Sequence, residues 1–153
     1  GTTMESDIPP GLQVRGDAEL LRRLLLNLLA NAAKYNTPGG RVRCAVSAAD
    51  GGATITVGNT GPGIPEALRP RLFERFFRAD PARAESGHGL GLSLCREIAR
   101  AHGGDVTLAA TSESWTEFVV HLSHPVQDGS GSRKPATDLS ALGGHEPTRI
   151  AHE

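Results

Sequence analysis

The sequence is short of cysteine, of lysine, of net charge and of long apolar runs. Cys44 and Cys95 lie in apolar surroundings without metal-ligand spacing, so they read as reduced thiols and make the cytoplasm the expected location. A formal net charge of -1 and a pI near 6.7 leave no global basic field, which argues against a nucleic-acid partner. Any site for a polyanion must be local. No apolar run approaches the roughly 20 residues of a membrane-crossing helix, and nothing resembles a signal peptide, so no direct membrane contact is expected. Fourteen arginines stand beside two lysines, an imbalance without mechanistic weight. What is present is 38% hydrophobic content in 153 residues, enough for one domain with a proper core and a tail.

Residues 1–7 read as a flexible leader, and Leu12 to Arg15 as a short strand. Asp17 then caps the strongest helix, in which Leu20, Leu21, Leu24, Leu25, Leu28 and Leu29 recur at helical spacing before Pro38-Gly39-Gly40. Strands Arg41 to Ala48 and Ala53 to Val57 flank an Asp50-Gly51-Gly52 turn, which predicts a hairpin. From Gly58 to Gly87 the chain is rich in turn residues and charge, interrupted by an amphipathic piece from Leu68 to Phe77. An irregular stretch of that length in a compact domain reads as a functional loop. A helix from Leu90 to His102 stops at Gly103-Gly104, and strands Asp105 to Ala110 and Glu117 to Ser123 complete a domain spanning 8–124. Residues 125–153, rich in Gly, Ser, Pro and Thr, read as a disordered tail. The order of elements predicts an α/β (α+β) two-layer sandwich, with helices on one face of a mixed, mostly antiparallel sheet.

Asn27, Asn31, Lys34 and Tyr35 share one side of the first helix and form a polar strip beside the leucines. An asparagine carbonyl oxygen is a hard, neutral ligand suited to Mg²⁺, and a lysine meets phosphates as a point charge. Taken singly, each residue also reads as an ordinary edge position, with Tyr35 as core. In the turn Val57 to Ile64, Gly61 and Gly63 permit unusual backbone angles and close approach to a ligand. A second turn, Gly87-His88-Gly89-Leu90-Gly91-Leu92, opens a helix whose N-H groups and dipole favour a phosphate. It follows a long loop, unlike the dinucleotide fingerprint, which follows a strand and continues as a βαβ unit.

Leu24 to Tyr35 (LLLNLLANAAKY), Asn59 to Ile64 (NTGPGI), Leu72 to Arg78 (LFERFFR) and Gly87 to Leu92 (GHGLGL) together resemble, in order, the N, G1, F and G2 boxes of sensor histidine kinases. The resemblance covers roughly residues 8–123. It implies a Bergerat-type fold that holds ATP between the first helix and a mobile lid from about 65 to 86. It also implies the roles of individual residues. Asn31 would coordinate Mg²⁺ with Asn27 on the triphosphate side, Lys34 would contact phosphates, and Tyr35 would pack on the adenine. Gly61 and Gly63 would make room for the base, next to Ile64, and Thr116 would lie alongside it. Gly87, Gly89 and Gly91 would hold the phosphates, with His88, Leu90 and Leu92 in the same nucleotide-binding turn. His88 reads there as a solvent-facing or backbone-bonding residue, not a metal ligand. Arg78 would reach the γ-phosphate side, and with Asn27 and Lys34 it forms the implied catalytic set. Phe76 would border the nucleotide, although Phe73, Phe76 and Phe77 read equally as a tether of the lid to the core.

The sequence departs from the family pattern in three places. Asn59 stands where most members carry an aspartate that accepts from the adenine amine. Weaker adenine recognition is therefore expected, together with poorer discrimination against guanine, because an amide can turn and donate. Trp115 stands where a glycine is common. No phosphoacceptor helix pair precedes the motifs. His102 and His121 fall in core elements, and His145 and His152 in the tail, so the acceptor histidine is expected on a dimerisation domain in cis or in trans, with a response regulator downstream. The chain is expected to be either a piece of a larger kinase or one half of a split kinase, with the long tail and a start at Met4 leaning towards the second. Three rival readings have distinguishing features. Hydrolytic members of the superfamily carry a glutamate base where Asn27 stands, and an amide cannot take a proton from water. An anti-sigma-factor-type serine kinase also lacks a dimerisation domain. The third is a non-catalytic nucleotide-binding module.

Overall fold

The computed structural model describes residues 1–49, 52–78, 91–123 and 136–142. Strands β1 (Thr3–Asp7), β3 (Arg41–Ala49), β4 (Gly52–Thr60), β6 (Trp115–Leu122) and β5 (Asp105–Thr111) lie in that spatial order in one sheet. β1 runs parallel to β3, and every other pairing in this sheet is antiparallel. Helices α1 (Ala18–Lys34) and α2 (Gly91–Ala101) cover one face, as the sequence predicts. A 3-10 stretch, Glu66–Arg71, follows the first glycine turn.

The core follows from two periodicities. In α1, the Asp17 carboxylate accepts from the Leu20 N-H at 3.1 Å, and Leu21, Leu24, Leu25, Leu28 and Ala32 fall on the buried stripe. On the sheet, alternate residues face the helices, and the register stacks them in rows across three strands: Val46, Ile55 and Val120, then Cys44, Val57 and Phe118. The next row is Val42, Asn59 and Thr116. Two of its three members are polar and buried, so the apolar face of the sheet gives way to hydrogen-bonding groups at one end.

The opposite face explains Trp115. Its ring lies over Gly58, where a Cβ would stand 2.4 Å from the ring, with the Arg41 guanidinium 5.4 Å from the ring centroid. Its Nε1-H donates to Glu117 at 3.3 Å. His121 also turns to this face and is exposed, although it sits in a core strand. His102 is fully buried instead.

Two segments expected to be loose carry regular structure. The leader forms β1, which is fully exposed and so lacks the alternation that marks a strand in sequence. Within the tail, β7 (Ala136–Asp138) pairs with β2 (Gln13–Arg15), and α3 (Leu139–Leu142) buries Leu139 while its N-H donates to the Leu12 carbonyl at 3.0 Å. Main-chain pairing of this kind leaves no compositional trace. The rest of the tail lies outside the described residues.

Both cysteines are buried, Cys95 with its thiol 3.5 Å from the Leu24 carbonyl oxygen. Burial pushes the Cys44 thiol up to about 11 and Cys95 to about 12, from an ordinary value of 9.0. Folding thus favours the neutral thiols, fully so below pH 9, and that contribution is lost progressively from pH 9 up to the folded values of about 11 and about 12. Between pH 8 and 10.5 the two thiols should cost about 4 kcal/mol in unfolding free energy, at about 1.4 kcal/mol per unit each. Urea titrations at the two pH values measure this, and a Cys44→Ala, Cys95→Ala variant should lose most of the difference.

Candidate functional site

Where the sheet row turns polar, a cleft of about 420 Å³ opens between α1, the Gly61 turn and the segment leading to Arg78. Helical periodicity brings Asn27, Ala30, Asn31, Lys34 and Tyr35 to its wall. β4 and β6 contribute Asn59, Thr116 and Phe118 from below. Gly61, Gly63 and Ile64 of the glycine turn, Arg78, and Gly91 and Leu92 of α2 complete the lining. Lys34 and Arg78 are the only ionisable cations among the described lining residues, and no carboxylate lines the cleft there. An anion is therefore the electrostatically matched occupant.

The glycine turn is held by backbone contacts. Gly63 has φ of 76°, and a Cβ there would lie 2.1 Å from the Ser112 carbonyl oxygen, while one at Gly61 would lie 2.7 Å from that of Tyr35. The room these glycines make is thus first for the chain itself. Gly61 N-H donates to the Ser114 carbonyl at 3.3 Å, and Ile64 N-H to the Thr111 hydroxyl at 2.9 Å. The Ile64 carbonyl accepts from Arg69 Nε at 3.1 Å. Asn59, 4% exposed, donates through Nδ2 to the Thr60 carbonyl at 2.9 Å. The Lys34 ammonium lies 5.3 Å from the Tyr35 ring centroid.

Of the residues singled out from the sequence, the structure gathers Asn27, Asn31, Lys34, Tyr35, Asn59, Gly61, Gly63, Ile64, Arg78, Gly91, Leu92 and Thr116 around this cleft. Phe76 is not among the lining residues: it has φ of 65° and is 71% exposed, whereas the neighbouring Phe77 lines the cleft. Gly87, His88, Gly89 and Leu90 lie outside the described residues, as does the lid beyond Arg78. Ala30, Leu68, Leu72 and Phe118 line the cleft without having been singled out, and Phe77, read from sequence as part of a tether, lines it too. Helical spacing from Asn27 would have found Ala30, and strand alternation from Thr116 would have found Phe118.

The segment before Arg78 is tethered to α2 and the sheet. Phe73 packs edge-on to Phe118, with centroids 6.2 Å apart at 88°, and the Arg96 guanidinium sits 4.8 Å from the Phe73 centroid. Arg96 also grips Asp105, and that hydrogen bond holds the Asp105 carboxyl below its ordinary value. Arg75 pairs with Glu97.

Residues 16–126 match the family model described as histidine kinase-, DNA gyrase B- and HSP90-like ATPase. The signal transduction histidine-protein kinase/phosphatase MprB of Mycobacterium sp. (strain KMS) is 43% identical over 152 residues, covering 92% of this chain. The chain spans 30% of the length of that relative. A solved structure of the mycobacterial sensor histidine kinase MprB superposes with a TM-score of 0.65 at 36% identity, covering 82% of this chain and 86% of that one. Full-length ShkA, solved in complex with AMPPNP, superposes with a TM-score of 0.65 at 30% identity, covering 82% of this chain and 27% of that one.

Proposed function

The chain belongs to the histidine kinase-, DNA gyrase B- and HSP90-like ATPase family, and from that premise we propose that its cleft holds Mg-ATP and presents the γ-phosphoryl group to a histidine on another domain or a partner chain. The observation that carries this reading is the make-up of one cleft. Asn59 and Thr116 offer it buried hydrogen-bonding groups, Lys34 and Arg78 offer positive charge, and the first turn of α2 contributes Gly91 and Leu92. A base can take the hydrogen bonds and a triphosphate the charge.

Catalysis would be chiefly positioning and charge neutralisation. The O-P bond to ADP breaks as an N-P bond forms to the imidazole, and Lys34 and Arg78 offset the charge on the oxygens. Asn31, half-buried on the cleft wall, would hold Mg²⁺ through its amide oxygen, with Asn27 one turn away. Neutral oxygen donors fit an ion that keeps several waters and takes its other ligands from phosphates. When bound, Mg²⁺ supplies neutralisation of phosphate charge. Asn27 stands where a hydrolase would need a base, which supports transfer over hydrolysis. A response regulator is the expected downstream acceptor. Among the described residues no helix is long and apolar enough to cross a membrane.

The test mixes this chain with a histidine-bearing helical hairpin domain and γ-labelled ATP. Acid-labile, base-stable phosphate on the hairpin is expected. Acid-stable phosphoserine on a partner would overturn the reading in favour of a serine kinase.

A further inference from the structure

Asn59 and Thr116 are directly paired across β4 and β6, both buried and both facing the cleft. What each can offer a ligand is decided by neighbours that do not line it. The Thr60 carbonyl accepts two donors, the Thr37 N-H at 3.2 Å and Asn59 Nδ2 at 2.9 Å. A turned amide would set Oδ1 against that carbonyl oxygen, two acceptors at hydrogen-bond distance. The amide is therefore held one way round, and Oδ1 is the atom left for a ligand. The freedom to turn that the sequence allows Asn59 is removed by its own chain.

Thr116 is fixed by a similar argument. Thr111 Oγ1 accepts the Ile64 N-H at 2.9 Å and lies 3.3 Å from Thr116 Oγ1. A hydroxyl has one proton to give. Donation from Thr111 to Thr116 uses that proton, whereas the reverse would leave it without a partner among the described residues. Thr116 is thus the acceptor in this pair, and its own proton is directed to the cleft.

We propose that Thr111, outside the cleft, sets the hydrogen-bond polarity of its base end, so that with the Thr60 carbonyl it makes the site select a 6-aminopurine over a 6-oxopurine. The site presents an acceptor on Asn59 beside a donor on Thr116. A 6-aminopurine carries a donor on its amine beside an acceptor at N1, which is the complement. A 6-oxopurine carries the reverse pair, and both of its groups meet their like. The proposal rests on the reading of this cleft as an adenine-nucleotide site.

Calorimetric titration of the full chain with ATP and with ITP tests it, because ITP reverses only that edge and adds no 2-amino group. ATP should bind about 100-fold more tightly than ITP to the unaltered protein, the scale of discrimination when buried polar groups are left unpaired. Thr111→Val should reduce that ratio about tenfold, since the Thr116 hydroxyl is then free to turn and accept, and Thr111→Ser should restore it. Equal ATP and ITP affinities in the unaltered chain would overturn the proposal without recourse to any variant. A Thr111→Val protein that loses both nucleotides in equal proportion would also overturn it, reducing Thr111 to a structural support. Absence of ATP binding to the unaltered chain would instead overturn the reading of the cleft itself.

Discussion

Asn31→Ala should lower phosphotransfer from ATP by about 100-fold or more, the order of effect expected when a metal's stabilisation of transferring charge is lost. The fold should hardly notice. Asn31 is only half-buried, its side chain faces the cleft, and alanine is the better helix former at an interior position of α1. The melting temperature is therefore expected to stay within about 2 °C, because the substitution removes no core contact. The informative measurement is the ATP dissociation constant with Mg²⁺ and with EDTA. In the unaltered protein Mg²⁺ should tighten binding, and in Asn31→Ala the two constants should converge. A variant that keeps the full Mg²⁺ enhancement would remove Asn31 from the role assigned to it.

The largest effect on stability is expected at His102. Its ring is fully buried between the two helices, with Nε2 accepting the Asp17 N-H at 3.0 Å and Nδ1 2.7 Å from the Ile98 carbonyl oxygen. Those two partners fix the neutral tautomer with the proton on Nδ1. Gly16 is packed against the same ring, where a Cβ would stand 2.5 Å from Cδ2. Alanine at 102 would leave a cavity and two unpaired main-chain groups, costing about 3 to 5 kcal/mol. On a domain of ordinary stability this is a fall in melting temperature of about 10 to 20 °C. Calorimetry measures it, with His121→Ala as the comparison. That histidine is exposed on the outer face of β6 and should cost no more than about 0.5 kcal/mol. Equal losses at the two positions would refute the distinction.

The contrast between these histidines shows what sequence can and cannot carry. Both fall in periodic elements, and periodicity alone places them in core segments. Facing is decided by strand register, and the direct pairing of His121 with Asp105 and Thr54 sends it outward. The helical strip from Asn27 to Tyr35 was legible because a 3.6-residue period fixes which side chains share a wall. The first glycine turn was legible through its backbone demands. Phe76 and Phe77 were not separable, since two adjacent phenylalanines have identical chemistry and nothing in their order says that Phe77 lines the cleft while Phe76, with its positive φ, is exposed. β1 and β7 escaped notice for a related reason: they are held by main-chain pairing that every residue type offers equally. The polarity of Asn59 was hidden for the same cause, because its governing partner is a carbonyl.

Trp115 carries a practical consequence. It is the chain's sole indole, and it lies on the back of the same two strands whose front presents Asn59 and Thr116. Its ring is bordered by Arg41 and Glu117, charged groups whose small displacements alter the local field. The indole is therefore placed as an optical gauge of the proposed base-binding wall. Its intrinsic emission is expected to change as the cleft fills, without a label and without a substitution near the ligand.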